Sequence, residues 1–307
     1  MAETSRESPR PCPVCRSLSG DDLGRIIHKQ PVRVAGVELD LGGIEFRLRG
    51  CRSCGFQYKD PPIPQRQLLR CYEQASAEHW QENPNPRKRR FDAVKDIIES
   101  HCGGRRILDI GCFNGAMLQY LGDVWDRYGI EPSRQAATMA RQRGVCILGS
   151  TIEELPWAIA PFDVVLAIDV IEHLNDPIAF FGRMRACLKP GGILVLGTGD
   201  TGSWTWRLQG SRYWYCSLPE HVGFYGQKTL CFIADSIGMQ TLQHVRLSHV
   251  RSPVYRRIRQ TIANLLYAGV TRLHGFGLPA LQRRLARQGA PGWLTAGDHM
   301  LHVMQAM

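Results

Sequence analysis

The sequence predicts an α/β fold, a mainly parallel sheet with helices on both faces and a small cysteine-rich module ahead of it. Three observations predict it. Residues 106–132, RILDIGCFNGAMLQYLGDVWDRYGIEP, run apolar strand, glycine turn, helix, apolar strand, which is a right-handed βαβ unit. Two further apolar runs, Phe162–Asp169 and Ile193–Thr198, have the near-continuous hydrophobicity of strands buried on both faces. Two Cys-x-x-Cys pairs, Cys12/Cys15 and Cys51/Cys54, precede all of this.

At 307 residues the chain holds one large α/β domain plus a small module. No run approaches about 18 uncharged apolar residues, so no membrane-spanning helix is expected. The start, MAETSRESPR, is polar and has no apolar h-region; a disordered tail over 1–10, no secretory signal and a cytoplasmic location are the expectations. Of 11 cysteines only four are paired by spacing, which points to a reducing compartment and a metal rather than a disulfide framework. The net charge of +10 is uneven. No acidic residue lies between Asp235 and Asp298, while Arg246, Arg251, Arg256, Arg257, Arg259, Arg272, Arg283, Arg284 and Arg287 do.

Taken in order, residues 11–62 read as a zinc ribbon. Each two-residue gap in Cys12-Pro-Val-Cys15 and Cys51-Arg-Ser-Cys54 aims two sulfurs at one metal, and four thiolates make a closed, structural Zn²⁺ site. Val32–Val34, Val37–Leu39 and Ile44–Arg49 alternate apolar and polar, as short antiparallel strands do. A module this small needs the metal to fold. His28 and Cys71 are spare donors. Ordinary reduced cysteines are the plainer alternative. Residues 63–100 form a helical linker, with Asn83–Pro86 as its breaker and an amphipathic helix over Arg87–Ser100 that buries Phe91, Val94, Ile97 and Ile98.

In the βαβ unit, glycine lets the main chain approach a ligand where a Cβ would block it. Glu131 ends the second strand about 20 residues after Gly111, the separation such units use to reach a ribose diol. A dinucleotide fingerprint needs glycine at 111, 113 and 116, but Phe113 and Ala116 stand there, and no Gly-Lys-Ser/Thr follows. The motif is Asp109-x-Gly111-x-x-x-Gly115. It resembles motif I of the class I S-adenosylmethionine (SAM) methyltransferases, with Phe113 at the usual middle glycine.

Later stretches extend the resemblance. Phe162-Asp-Val-Val followed by Asp169-Val-Ile-Glu-His173-Leu-Asn-Asp-Pro177 is similar to the FDxV…DVIEHLxDP segment of SAM methyltransferases that modify ubiquinone precursors and sugars, and Leu188-Lys-Pro-Gly-Gly192 to the turn before their fifth strand. Over residues 12–80 the layout CPxC, CxxCG-aromatic, Pro-rich turn, helix resembles methyltransferases of bacterial polysaccharide and secondary-metabolite gene clusters. The resemblance implies a seven-stranded Rossmann-like sheet with the last strand antiparallel, built from 101–250 and 297–307. It implies SAM contacts at Asp109, Gly111, Phe113, Gly115, Glu131, Ile152, Glu153, Asp169 and His173. It also makes 63–100 a cofactor lid, with Tyr72, Trp80 and Arg87–Arg90 facing the ligands. Residues 151–154 read equally well as a helical turn capped by Thr151 with Glu154 as partner.

Residues 200–230 concentrate aromatics at the acceptor side. Glu220-His221-x-x-aromatic resembles the EHLxYF element of zinc-ribbon sugar C-methyltransferases, which implies His221 as general base, Glu220 orienting it and Tyr225 assisting. A buried, hydrogen-bonded histidine before a helix is the structural alternative. Met239–Leu247 and Asp298–Met304 read as the last strands, and 251–296 as a basic helical insertion with stripes Ile258/Ile262/Leu265/Leu266/Val270 and Leu278/Leu281/Leu285. The insertion suits packing on the core or on a second copy in a homodimer, an anionic carrier-linked acceptor, or a membrane surface through 251–287. Nucleic acid fits least, for no aromatic-interleaved basic motif is present. The expected activity is methyl transfer from SAM to carbon or oxygen of a small or carrier-linked acceptor. The alternatives are RNA methylation and a non-catalytic SAM-binding regulator.

Overall fold

The computed structural model describes residues 10–28, 31–75, 84–248, 253–272, 291 and 297–307. Four short strands come first: β1 (Gly20–Arg25), the β2–β3 hairpin (Arg33–Val34, Val37–Glu38) and β4 (Arg47–Cys51). β5 (Gln57–Asp60), α1 (Gln65–Gln74) and α2 (Pro84–His101) follow. The core then alternates β6 (Arg106–Ile110), α3 (Ala116–Leu121), β7 (Asp126–Ile130), α4 (Arg134–Gln142), β8 (Cys146–Gly149), β9 (Phe162–Ile168), α5 (Pro177–Cys187) and β10 (Leu188–Gly199). It closes with α6 (Trp204–Gln209), β11 (Gly223–Phe224), α7 (Gln227–Ser236), β12 (Met239–Leu247), α8 (Val254–Arg272) and β13 (His299–Ala306).

The main sheet has seven strands in the order β12-β13-β10-β9-β6-β7-β8. β6, β7, β8, β9 and β10 are parallel, and β13 runs antiparallel between β10 and β12. This is the expected seven-stranded sheet with an antiparallel last strand. Its central strands are apolar on both sides because helices cover both: Val164, Val165, Leu166 and Ala167 of β9 are fully buried. The chain reverses between β6 and β9, so ligands are received beyond the carboxyl ends of those strands.

The N-terminal module is joined to the core rather than tethered to it. β11, from the segment between α6 and α7, pairs antiparallel with β5 and makes a four-stranded sheet, β1-β4-β5-β11. Its cysteines share one hydrophobic cluster with β9, α5 and α7, and its other face packs with α1, Trp206, Tyr213, Tyr215 and Phe224. β1 carries charged or glycine residues at every position but Leu23 and lacks the alternation by which the other ribbon strands are read. Helix α2 starts at Pro84, inside the expected breaker, because proline suits a first helical turn. Its Val94, Ile97 and Ile98 are buried as expected.

Candidate functional site

At the carboxyl edge of β6, the turn 111–115 holds three left-handed residues: Gly111 (φ 71°), Phe113 (φ 48°) and Gly115 (φ 75°). A side chain is costly at such angles, which accounts for the glycine usual at the position Phe113 occupies. The Phe113 N–H donates to Glu131 Oε2 (2.8 Å) and the Ser133 N–H to Oε1 (2.8 Å). An ionised carboxylate has about four acceptor sites, so two remain for a diol. Burial pushes Glu131 up to about 7, and burial together with Glu131 pushes Asp109 up to about 8. Gly111 leaves space that a Cβ would fill, 3.0 Å from Val170 Cγ2. Gly115 serves packing instead: its Cβ would lie 2.9 Å from Val145 Cγ2 and 3.2 Å from the main chain of Ala140.

Two expected contacts of the 151–154 loop turn elsewhere. The Glu153 carboxylate pairs with Arg183 of α5 (3.7 Å) and is largely exposed, while Ile152 packs half-buried against the core. The Thr151 side chain caps nothing; Glu154 instead accepts from the Ser150 N–H (2.7 Å) and hydroxyl (2.9 Å), one residue earlier than the expected box. At the end of β9, Asp169 is left-handed (φ 56°) and pairs with Arg90 of α2. Helix α2, expected as a cofactor lid, is thus bound at the sheet edge through Arg90; Trp80 lies outside the described residues.

The acceptor side gathers residues distant in sequence. His173 Nδ1 lies 2.8 Å from Tyr72 Oη and 3.1 Å from the Glu220 carbonyl oxygen. His221 packs on Tyr215 (ring centroids 4.0 Å) and on His173 (4.9 Å). Its Nδ1–H donates to the Tyr215 carbonyl oxygen (3.2 Å), a tautomer assigned because a carbonyl only accepts, so Nε2 carries the lone pair. Burial holds His221 well below the ordinary histidine value, and His173, Lys59 and His299 add to the shift. Beneath them, Glu172 is fully buried and accepts from the hydroxyls of Tyr215 (2.6 Å) and Thr198 (2.9 Å).

Two catalytic assignments are corrected. Glu220 does not orient His221: its buried Oε2 has no hydrogen-bond partner among the described residues, and the Tyr215 carbonyl does the orienting. Tyr225 offers no free hydroxyl, since it is fully buried and donates to the Ile171 carbonyl (3.0 Å). Three contributors escape a motif reading. Tyr215 was one of several aromatics. Glu172 lies inside the DVIEHL stretch but between better-known neighbours. Lys59, on β5, is buried and donates its ammonium to the carbonyls of Leu218 and Pro219 (3.3 Å to the latter), just ahead of Glu220. Burial lowers it to about 7.

Cys12, Cys15, Cys51 and Cys54 bring their sulfurs within 4.8 Å of one another, with Cys12–Cys54 at 3.6 Å and Cys15–Cys51 at 3.4 Å. Tetrahedral zinc with bonds of about 2.3 Å needs sulfurs roughly 3.8 Å apart. The two turns are alike. Arg16 and Gly55 follow their pairs with positive φ and donate N–H to the carbonyls of Cys12 (2.9 Å) and Cys51 (3.0 Å). His28 and Cys71 take no part: His28 Nδ1 bonds the Ser217 carbonyl (3.0 Å), and Cys71 is buried against α1's own packing. Glu172, His173 and His221 also bring one ligand atom each within 4.8 Å, but both Glu172 oxygens already accept hydroxyls.

A family model described as a methyltransferase domain matches residues 65–244, more than half of the chain. The chain belongs to the methyltransferase domain family. Over 102 residues this methyltransferase-family protein is 37% identical to a ubiquinone biosynthesis O-methyltransferase of Cereibacter sphaeroides, in a match covering 31% of this chain and 41% of that protein. A ubiquinone biosynthesis O-methyltransferase of Azorhizobium caulinodans is 34% identical over 126 residues, covering 36% and 50%. The chain thus spans half or less of the curated relatives it matches. Among solved structures it is similar to the N-methyltransferase NodS of Bradyrhizobium japonicum in complex with S-adenosyl-L-homocysteine, with a TM-score of 0.49, 17% identity, and coverage of 80% of this chain and 99% of that one.

Proposed function

We propose that the protein transfers the methyl group of S-adenosylmethionine to a hydroxyl or an acidified carbon of a small or carrier-linked acceptor, with His221 as general base. One observation carries the reading. A neutral, buried histidine stands at the carboxyl edge of the sheet, its Nδ1–H occupied by the Tyr215 carbonyl and its Nε2 lone pair left to take a proton. The relatives named as O-methyltransferases favour oxygen as the acceptor atom, and the resemblance to sugar-modifying enzymes favours a polyhydroxylated acceptor.

When bound, the cofactor supplies an electrophilic methyl group on a sulfonium. Glu131 would hold the ribose diol with its two remaining acceptor sites. His221 Nε2 receives the acceptor's proton as the new bond to carbon forms. Glu172 stiffens the wall behind it by fixing the Tyr215 ring through a 2.6 Å hydrogen bond. Cys12, Cys15, Cys51 and Cys54 would hold a structural zinc and take no part in the transfer.

Calorimetric titration with S-adenosylmethionine and S-adenosylhomocysteine tests the cofactor half; absence of binding to both sinks the reading. His221→Gln should leave that affinity within about twofold and lower turnover at least about 100-fold, read as S-adenosylhomocysteine release on hydroxylated acceptors. Because His221 is held neutral, the wild-type acid limb should lie well below pH 6.5. A limb at 6.5 or above places the base elsewhere.

A further inference from the structure

Helix α8 is inside out. Its face toward the protein carries Asn264, Tyr267, Ala268 and Thr271, all buried, and Gln209 Nε2 donates to Asn264 Oδ1 at 2.9 Å. Its opposite face carries Val254, Tyr255, Ile258, Ile262, Leu265 and Leu266, exposed by 51–69%. At 100° per residue these six side chains fall within about 120° of arc, one stripe along a helix about 28 Å long. The expected apolar stripe is therefore present, but it faces away from the core that a packed hairpin would bury it against. A soluble surface rarely leaves so many large apolar side chains contiguous.

The charges beside the stripe select its partner. Arg256 and Arg259 are exposed on the same helix, and the sequence has no acidic residue from 236 to 297. An apolar stripe flanked by arginines, on a helix of 19 residues that is not apolar enough to cross a bilayer, matches a helix that lies in a membrane interface. Nucleic acid would use the arginines and leave the stripe wet.

We infer that α8 docks this protein on an anionic phospholipid surface, with the stripe in the acyl boundary and the arginines among the headgroups. Through Asn264, on the face opposite the stripe, the helix is bonded to Gln209, in the segment whose continuation supplies Tyr215. This surface is independent of the base assigned above.

Co-sedimentation of the full chain with phosphatidylcholine vesicles, with and without phosphatidylglycerol, tests the inference. Binding should require the anionic lipid and fall steeply with salt. Ile262→Asp with Leu266→Asp should cut the bound fraction at least about tenfold, and Arg256→Gln or Arg259→Gln should each weaken binding roughly fivefold. Both residues of the double variant are exposed, so unchanged S-adenosylmethionine affinity reports an intact fold. Failure to pellet with anionic vesicles overturns the inference. So does a lipid-free dimer in sedimentation velocity that the double variant converts to monomer, which assigns the stripe to a second copy.

Discussion

The cofactor half and the acceptor half of the site are built by different means. The cofactor half is local and largely main chain: a left-handed turn, two N–H donors onto Glu131, and carboxyls raised by burial, all between residues 109 and 133. The acceptor half is assembled from side chains of five segments, with Lys59, Tyr72, Glu172, Tyr215 and His221 meeting across the sheet edge. Main-chain geometry constrains residue type at fixed spacing and leaves a motif. Side chains from separate segments can be exchanged for others of similar reach, so they specialise the acceptor and leave little pattern.

If the halves are separable, lesions should split them. The largest effect is expected from Cys51→Ser, which breaks the metal site and loosens β5 beneath the acceptor loop. Turnover should fall at least about 100-fold while S-adenosylmethionine still binds, and Tm should drop by about 5 °C or more. Equal loss of both functions would make the ribbon a support for the whole fold and end the comparison. Glu131→Gln is the converse: the amide cannot accept from both N–H groups and a diol, so calorimetric affinity for S-adenosylmethionine should weaken by roughly 30–100-fold, with turnover at saturation little changed.

Tyr215→Phe removes the 2.6 Å bond to a buried carboxyl. It should cost about 1–3 kcal/mol in denaturant unfolding and lower turnover about tenfold with affinity for the cofactor intact. The smallest effect is on pH dependence, where the halves should move oppositely. Glu131 is raised to about 7, so the folded state holds a proton that the unfolded chain has lost, and its contribution is lost as pH rises from about 4.5 through 7. His221 is lowered, so its contribution is lost as pH falls below 6.5. Scans of Tm from pH 5 to 8 should show Glu131→Gln flattening the alkaline decline and His221→Gln the acid decline, each by about 3 °C. Identical profiles in both variants would remove the distinction.

Much of the fold was legible because period and punctuation agreed with it. β9 reads as a central strand from its apolar run, α4 stops where Gly144 takes a positive φ, and the antiparallel last strand was implied by the family resemblance alone. The cysteine spacing announced the cluster of four sulfurs. What escaped notice has physical reasons. Gly115 and Gly111 look alike in a motif, yet one makes room for the main chain of α4 and the other for the Val170 side chain. Glu220 stands beside His221 in sequence but not in hydrogen bonding. Lys59 acts over a separation of 159 residues, and the outward stripe of α8 has the same period as a buried one.

The pairing of β5 with β11 carries a thermodynamic obligation. The Lys59 N–H donates to the Val222 carbonyl (2.9 Å), and its ammonium to Leu218 and Pro219, so both ends of the His221 loop hang on a strand that begins three residues after Cys54, a proposed zinc ligand. Any coupling between two ligands through one such element is reciprocal. If zinc sharpens the loop for its acceptor, the acceptor must in turn tighten zinc by the same factor, and the metal becomes hardest to strip when the enzyme is engaged with its substrate.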